Sequence, residues 1–267
     1  MKIKKQIGVN SLKKQINYQA KKFSGQYSLI IYEPGLLGFE LSHQPALKIP
    51  AASLIKLPIL AVALKAVEQN HINFNQEVII TASDITGGSG IFKRVDLPLR
   101  ITFKELLSFM IIISDNSATN KVVDLLGLNY INKEFKSFGL KDTILAREMM
   151  DFVSRKKGFE NYTSSRDIIS ILKKIYQGTL VNDQFSQFAK NLLSRQQYND
   201  RIARFLPKGV KVAHKTGLER GVVHDAGIVY GKKQDFIISV LTEEVRNYKK
   251  AKEFIAKITE VSYNFLN

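Results

Sequence analysis

Ser53 and Lys56 are the residues whose types and spacing most directly suggest chemistry. They open an apolar run that continues to about Val67, and such a run predicts a helix. Three residues apart on a helix, the two side chains lie on one face, so the lysine amine can reach the serine hydroxyl. A buried lysine loses its proton near neutral pH and can act as a base. The pair predicts a serine nucleophile at a helix start, where free backbone N–H groups stabilise an oxyanion.

The same tetrad also occurs in helices that begin with a serine cap and carry a solvated lysine, so it needs support from elsewhere. Two further motifs supply it. Residues 114–116, Ser-Asp-Asn, lie between two apolar helical runs, and residues 214–217, His-Lys-Thr-Gly, end a predicted strand. The first motif also fits a simple turn in which Asp115 caps the next helix.

The rest of the sequence predicts the elements that position these motifs. β-branched and apolar stretches between turn residues predict strands at 27–32, 37–41, 210–214, 223–230 and 235–242. Helical spacing predicts helices at 11–23, 53–69, 103–113, 118–126, 168–176, 184–193 and 249–265. The predicted fold class is α+β: an antiparallel sheet formed from both termini packs against a mostly helical middle region.

Local signals refine this outline. Thr102 with Glu105 predicts a capping box before the helix that begins at Phe103. Residues 87–90, 152–161, 217–221 and 231–234 are rich in glycine or charge and predict loops and turns. A phosphate-binding role for the loop at 87–90 is disfavoured, because no strand leads into it and no Gly-Lys-Ser/Thr follows.

Composition excludes several classes of protein. The chain has 267 residues, no cysteine and a net charge of +16. Its basic residues are scattered and lack any nucleic-acid-binding signature, so they predict a solvated surface and no nucleic-acid partner. No disulfide or thiolate metal site is possible, and the histidines lack metal-ligand spacing, so no metal is predicted.

The sequence as written predicts neither a membrane span nor a signal peptide. The basic start lacks the apolar segment of a signal, since Ser11-Leu12-Lys13-Lys14-Gln15 interrupts it. No apolar run is long enough to cross a bilayer. We therefore expect a cytoplasmic protein, or a secreted or periplasmic one if a signal has been trimmed.

Together, the three motifs resemble the active-site set of the class A β-lactamases and penicillin-binding proteins, in order and in structural context. The resemblance covers nearly the whole chain. It implies one domain of two lobes, an α/β lobe from about 1–50 and 195–267 and a helical lobe from about 51–194. It also implies a monomer that takes a small β-lactam or a peptidoglycan-like substrate and needs no cofactor.

The resemblance also implies a role for each motif residue. Ser53 would open a β-lactam amide to an acyl-enzyme, Lys56 would take or relay its proton, and Ser114 would pass a proton to the leaving nitrogen. Asn116 would donate its amide to the substrate's acylamide carbonyl. The substrate carboxylate would lie against Lys215, Thr216 and Gly217, and the oxyanion would bind the N–H groups of Ser53 and Leu218.

The chain departs from the class A pattern in the loop that supplies the deacylating glutamate. The family has Glu-x-x-Leu-Asn there, whereas this chain has residues 147–152, Arg-Glu-Met-Met-Asp-Phe. Glu148 matches the glutamate if one residue has been deleted; otherwise Met149 falls there, and Asp151 is the alternative base. Asn161 replaces the aspartate that pairs with the loop arginine. A neutral partner for Arg147 predicts a weaker clamp and a mobile loop.

Three functions follow from these features. The leading prediction is a class A β-lactamase-like serine acyl-hydrolase. The second keeps the fold and nucleophile but is a D,D-peptidase, an esterase or a penicillin-binding protein that deacylates slowly. The third is a non-enzymatic basic binding protein on a decayed hydrolase fold, which the intact Ser53, Lys56, Ser114 and Lys215 disfavour.

Overall fold

A computed structural model describes residues 2–35 and 38–267, with side chains from Gly8 onward. The α-helices of these residues are α1 (Lys2–Ala20), α2 (Lys56–Glu68), α3 (Phe103–Ile112), α4 (Asn116–Leu126), α5 (Leu128–Ser137), α6 (Phe152–Lys156), α7 (Ser165–Gln177), α8 (Asp183–Ser194) and α9 (Tyr248–Leu266). The strands are β1 (Gln26–Glu33), β2 (Phe39–His43), β3 (Ile49–Pro50), β4 (Glu77–Ile80), β5 (Leu99–Thr102), β6 (Tyr162–Thr163), β7 (Lys211–Glu219), β8 (Val222–Tyr230) and β9 (Phe236–Glu243).

The main sheet has five antiparallel strands in the order β2-β1-β9-β8-β7. The first and last strands of the sequence lie side by side, with Ile31 opposite Ile238. This arrangement confirms the predicted α+β fold with a sheet formed from both termini. The predicted start of the returning strand at Leu37 lies outside the described residues, which show β2 from Phe39.

Side chains alternate between the two faces of this sheet and divide the core into two clusters. Ile30 and Ile237 face the larger cluster, which surrounds α2 and the other helices of the middle region. Ile31 and Ile238 face the smaller cluster, which α1 and α9 cover. Helix α2 is buried nearly all round, as its apolar sequence predicts, and therefore provides a rigid base for the residues at its start.

The structure corrects the predicted start of this helix. Ser53 lies in a single 3-10 turn, Ala52–Ile55, and the α-helix begins only at Lys56. Pro58 explains the difference, because it has no N–H to donate to the carbonyl of Leu54. The 3-10 turn places Ser53 on a tighter spiral than the predicted α-helical turn.

Other predicted boundaries also change. Strand β7 continues to Glu219 because its whole length pairs with β8, so residues 217–219 are strand and the turn is Arg220–Gly221. The predicted loop at 152–161 contains the short helix α6, which begins because Asp151 accepts hydrogen bonds from the next two free N–H groups, those of Val153 and Ser154. The capping box of Thr102 and Glu105 is confirmed. No helix of the described residues is long and apolar enough to span a membrane.

Candidate active site

Ser53 lines a small cavity where the start of α2 meets strand β7. The cavity measures about 60 Å³ and is lined by Ser53, Ser89, Ser114, Tyr198, Arg201, Thr216 and Leu218. A space of this size holds about two water molecules. Residues from the start of α2, the 114–116 motif and strand β7 therefore line one common space.

Lys56 lies fully buried beneath this cavity. Its Nζ donates to the backbone oxygen of Ser114 at 2.7 Å and to Oδ1 of Asn116 at 2.8 Å, and lies 3.2 Å from Oγ of Ser114. Among the described residues, no hydrogen bond joins it to the hydroxyl of Ser53, so the expected direct pair is not formed in this structure. Burial, followed by the charge of Lys215, holds the pKa of Lys56 well below its ordinary value. A neutral amine here can accept a proton.

Ser114 connects Lys56 with a second buried lysine. Its Oγ is 3.0 Å from Nζ of Lys215, which also donates to the backbone oxygen of Thr216 at 3.1 Å. Burial lowers the pKa of Lys215 to about 7, with Asp225 opposing this and Arg201 adding to it. A hydroxyl between two amines can pass a proton from one side to the other. The structure thus brings together four of the predicted residues: Ser53, Lys56, Ser114 and Lys215.

Backbone strain marks this site. Ser114 has a φ of 57° and Ala52, next to Ser53, a φ of 44°. Non-glycine residues adopt this left-handed conformation at a cost of about 1–3 kcal/mol each, and such residues cluster at functional sites. The strain falls on the two residues that orient the hydroxyls of Ser53 and Ser114.

The 114–116 motif was interpreted either as part of an active site or as a turn in which Asp115 caps the next helix, and the contacts of Asp115 agree with both. One carboxylate oxygen caps α4 at the N–H of Ala118, and the other accepts from the N–H groups of Ile91 and Phe92. The predicted loop at 87–90 is thereby held against the motif, and a Cβ on Gly90 would lie 2.0 Å from this carboxylate. Asn116 donates its amide to the carbonyl of Gly87 at 2.9 Å, which leaves one amide hydrogen for another partner.

Strand β7 forms the wall opposite Ser53. A Cβ on Gly217 would lie 3.3 Å from the carbonyl of Ala51, so glycine lets the strand approach the 3-10 turn, as predicted. Val223, which stands opposite Leu218, directs both its N–H and its carbonyl to Oγ1 of Thr242 on β9. Leu218 and Val223 are therefore a non-hydrogen-bonded pair, and the N–H of Leu218 points out of the sheet edge.

The residues 11–266 match the sequence model of the beta-lactamase enzyme family. The chain belongs to this family. It is 26% identical to the extended-spectrum beta-lactamase PER-1 of Pseudomonas aeruginosa over 83% of this chain and 76% of that protein. Its structure is similar to a beta-lactamase of Sphaerobacter thermophilus, with a TM-score of 0.87 and 26% identity over 96% of this chain and 95% of that one. It is also similar to PBP-A, with a TM-score of 0.86 and 27% identity over 95% of each chain, and one mutant of PBP-A was solved as an acyl-enzyme complex with penicillin G.

Three residues that line the cavity of this beta-lactamase family site were not predicted as site residues: Ser89 of the predicted loop at 87–90, Arg201 and Tyr198. Arg201 is 3% exposed and lines the Ser53 cavity, and its Nε has no hydrogen-bond partner among the described residues. One of its Nη atoms pairs with Asp200 at 3.0 Å. Tyr198 lines the same cavity and is partly exposed. Arg201 and Tyr198 lie in an irregular segment before β7, where neither periodicity nor a motif distinguishes them from surface residues.

The loop arginine has stronger partners than the sequence indicated. Arg147 is buried and pairs with Glu160 at 2.7 Å and with Glu219 at 3.1 Å. Asn161 bonds to the backbone of the loop instead, accepting from the N–H of Ala146 and Arg147. The prediction of a weak clamp is therefore wrong, because the glutamates supply the charge that Asn161 lacks, whereas the mobility of the loop stays a prediction.

Neither candidate base of this beta-lactamase family member lines the Ser53 cavity in the described structure. Glu148 is exposed and lines a separate cavity of about 240 Å³, together with Asp84, Asn120 and Asp124 among others. Partial desolvation of its carboxyl group, followed by the negative charges of Asp124 and Asp151, raises the pKa of Glu148. Met149 is buried, and its backbone bonds twice to the side-chain amide of Asn120. The segment forms a turn and not a helix, and Asp151 caps α6.

His224 joins the segment before the 3-10 turn of Ser53 to strand β9, and its burial leads to a prediction about stability. It is fully buried, donates through Nε2 to the carbonyl of Pro50 at 2.8 Å and accepts at Nδ1 from the N–H of Thr242 at 3.1 Å. Burial lowers its pKa to about 4. In the unfolded chain His224 has an ordinary pKa of about 6.5, so between pH 6.5 and 4 it is protonated there but neutral in the folded chain. We expect this group to contribute about 3 kcal/mol above pH 6.5, lost as the pH falls toward 4.

Urea unfolding at pH 7.5 and 4.5 measures this contribution. His224→Gln should be less stable than the wild type at pH 7.5 but should lose about 3 kcal/mol less on acidification. The exposed His71 provides a matched control, and His71→Gln should follow the wild type. An equal loss in all three proteins would show that His224 does not titrate in this range.

Proposed function

We propose that the chain is a serine β-lactam hydrolase that forms an acyl-enzyme on Ser53. The observation that carries this proposal is the Ser114 hydroxyl, which lies within 3.2 Å of two buried lysines at the cavity that Ser53 lines. Two buried amines without a salt-bridge partner among the described residues are costly to maintain and are characteristic of sites that transfer protons. Family membership and the TM-scores of the solved beta-lactamase structures support the same function.

Acylation on this geometry proceeds as follows. Neutral Lys56, directly or through a water, takes the proton from Ser53, whose Oγ attacks the lactam carbonyl carbon. The lactam C–N bond breaks, and Ser114 delivers a proton to the nitrogen while receiving one from a lysine. The products are an ester on Ser53 and an amine on the opened ring, so charge and protons balance.

The same walls would bind the substrate. The N–H of Ser53 and the outward N–H of Leu218 would hold the developing oxyanion. Lys215 and Thr216 would bind the substrate carboxylate, and the unpartnered Nε of Arg201 adds a buried donor that the sequence did not predict. The second amide hydrogen of Asn116 would bind the acylamide carbonyl.

A second candidate, a penicillin-binding protein that releases its acyl group slowly, is favoured by one observation. Neither Glu148 nor Asp151 lines the Ser53 cavity in the described structure. Release requires a base that activates a water beside the ester. The role of Glu148 as this base therefore stays a prediction, and the lifetime of the adduct separates the two candidates.

Intact-mass spectrometry after mixing with penicillin G tests both candidates, alongside hydrolysis of a chromogenic cephalosporin. For the hydrolase, we expect an adduct that forms and disappears with turnover. Glu148→Gln should then make the adduct accumulate while acylation continues, because the water loses its base. A persistent adduct in the wild type would instead favour the penicillin-binding protein, and no adduct at all would contradict both. If the acyl adduct accumulated only in Asp151→Asn, Asp151 would be the base for deacylation.

Removal of Lys215 should separate recognition from chemistry. If its ammonium binds the substrate carboxylate, Lys215→Ala should lower kcat/KM about 10- to 100-fold for carboxylate-bearing β-lactams, since a charged hydrogen bond contributes about 1.5–3 kcal/mol. A neutral ester of the same β-lactam should be affected much less. Equal losses on both substrates would mean that Lys215 serves the chemistry or the fold.

A further inference from the structure

Glu219, the last residue of β7, joins this strand to the 147–161 segment through two arginines. Its carboxylate accepts from Nη2 of Arg147 at 3.1 and 3.3 Å and pairs with Nη1 of Arg155. Both arginines also pair with Glu160, Arg147 through Nη2 at 2.7 Å and Arg155 through Nε at 2.8 Å. The four charges alternate in sign and close a ring, the Glu219 ring, in which Glu219 is the member contributed by the strand.

The ring is more than a surface ion pair. The side chains of Arg147 and Glu160 are 3% and 8% exposed, and that of Glu219 is 18% exposed. Partly buried charges are screened less than exposed ones, and a network in which each charge has two partners restricts all its members. Oε1 of Glu160 also accepts from the N–H of Asn161, and Arg147 donates to the carbonyl of Glu148, so the ring is fixed to the loop backbone.

The strand end that Glu219 holds carries the amide of Leu218. This amide makes no ladder bond with Val223 and points out of the sheet edge, and Leu218 lines the Ser53 cavity. Beyond Glu219 the chain turns at once through Arg220 and Gly221, so the last ladder pair, Glu219 with Val222, is followed by only a two-residue turn. The turn fixes β7 to β8, but β7 is the edge strand of the sheet and has no strand on its outer side, so only side-chain contacts restrain this side.

We infer that Glu219 is a positioning residue for acylation: its ring fixes the end of β7 so that the N–H of Leu218 keeps its direction toward the oxyanion. This inference rests on the proposed function, in which that N–H stabilises negative charge on a substrate attached to Ser53. Loss of one oxyanion donor costs about 10²- to 10³-fold in rate, and a misdirected donor costs a part of this.

Glu219→Gln tests the inference because it keeps the shape of the side chain and removes its charge. With penicillin G, we expect the acylation rate constant to fall about tenfold while the dissociation constant of the non-covalent complex changes less than twofold, since the oxyanion exists only after attack. Hydrogen exchange of peptides covering 211–219 should accelerate. Glu40→Gln is the matched control, because it removes the charge of another strand glutamate, one that pairs with Lys173. It should change neither the acylation rate constant nor hydrogen exchange at 211–219.

A second variant keeps the inference testable if Glu219→Gln does not fold. Arg155 is the most exposed member of the ring, so Arg155→Gln should fold, and its effect on acylation should be smaller and non-additive with that of Glu219→Gln. If the wild type is acylated and Glu219→Gln is acylated at the same rate, the inference fails and the proposed function stands. A wild type that is never acylated contradicts the proposed function; unchanged hydrogen exchange at 211–219 in Glu219→Gln contradicts the inference whichever way acylation turns out.

Discussion

Ser53→Ala should abolish covalent labelling by penicillin G and lower the hydrolysis rate by about 10⁶-fold, the loss that removal of the nucleophile causes in a serine hydrolase. The substitution removes a single hydroxyl that makes no hydrogen bond with another described residue. The 3-10 turn is held by backbone bonds such as that from the N–H of Leu54 to the carbonyl of Ala51. The variant should therefore fold as the wild type does, and intact-mass spectrometry with near-UV circular dichroism measures both properties.

The control for this variant is Ser194→Ala, which removes an exposed hydroxyl that bonds only to the backbone of its own helix. It should label at the wild-type rate. Labelling that survives in Ser53→Ala would remove Ser53 from the mechanism. The labelled peptide would then identify the true nucleophile.

Lys56→Ala should slow acylation by about 10²- to 10⁴-fold, the usual contribution of a general base. Burial and the charge of Lys215 lower the pKa of the Lys56 amine, and its Nζ lies 3.2 Å from Oγ of Ser114, the proton donor to the leaving nitrogen. The variant leaves Oδ1 of Asn116 without its donor, so part of the loss is expected in the position of Asn116. Stopped-flow measurement of adduct formation at several pH values reports the loss directly.

Lys65 offers a matched control on the same helix. It pairs with Glu134 far from the Ser53 cavity, and Lys65→Ala should leave acylation unchanged. In the wild type, acylation should fall at low pH, where Lys56 becomes protonated, and Lys56→Ala should lose this dependence. Unchanged acylation in Lys56→Ala would point to a carboxylate that acts through water.

The sequence was most informative where a function depends on residues close together in the chain. Ser53 and Lys56 share one helix start, Ser114 to Asn116 one turn, and Lys215 to Gly217 one strand. Their local spacing carries the chemistry. The sheet was equally predictable, because short runs of apolar and β-branched residues, such as those around Ile237, are typical of strands that are buried on both faces.

Individual side-chain contacts between distant segments could not be predicted. The partners of Arg147 include Glu219 on another element, and no pattern in the sequence connects the two. Arg201 lies in an irregular segment whose burial depends entirely on tertiary packing. A one-residue difference in the alignment of this loop decides whether Glu148 or Met149 takes the position of the family's glutamate. Hydrophobic periodicity cannot show which of the two side chains is exposed, because the segment is a turn.

The pairing of β1 with β9 has a consequence for synthesis of the protein. The ribosome releases Ser53, Lys56 and Ser114 together with the helices that pack around α2, whereas Lys215 and the strands beside it emerge only after them. Strand β1 has no inner neighbour until β9 arrives, and contacts between such distant segments form slowly. During this interval the nascent chain exposes an apolar strand edge to aggregation and to chaperones. Catalytic competence is thus gained only after β9 has been released and has paired with β1 and β8.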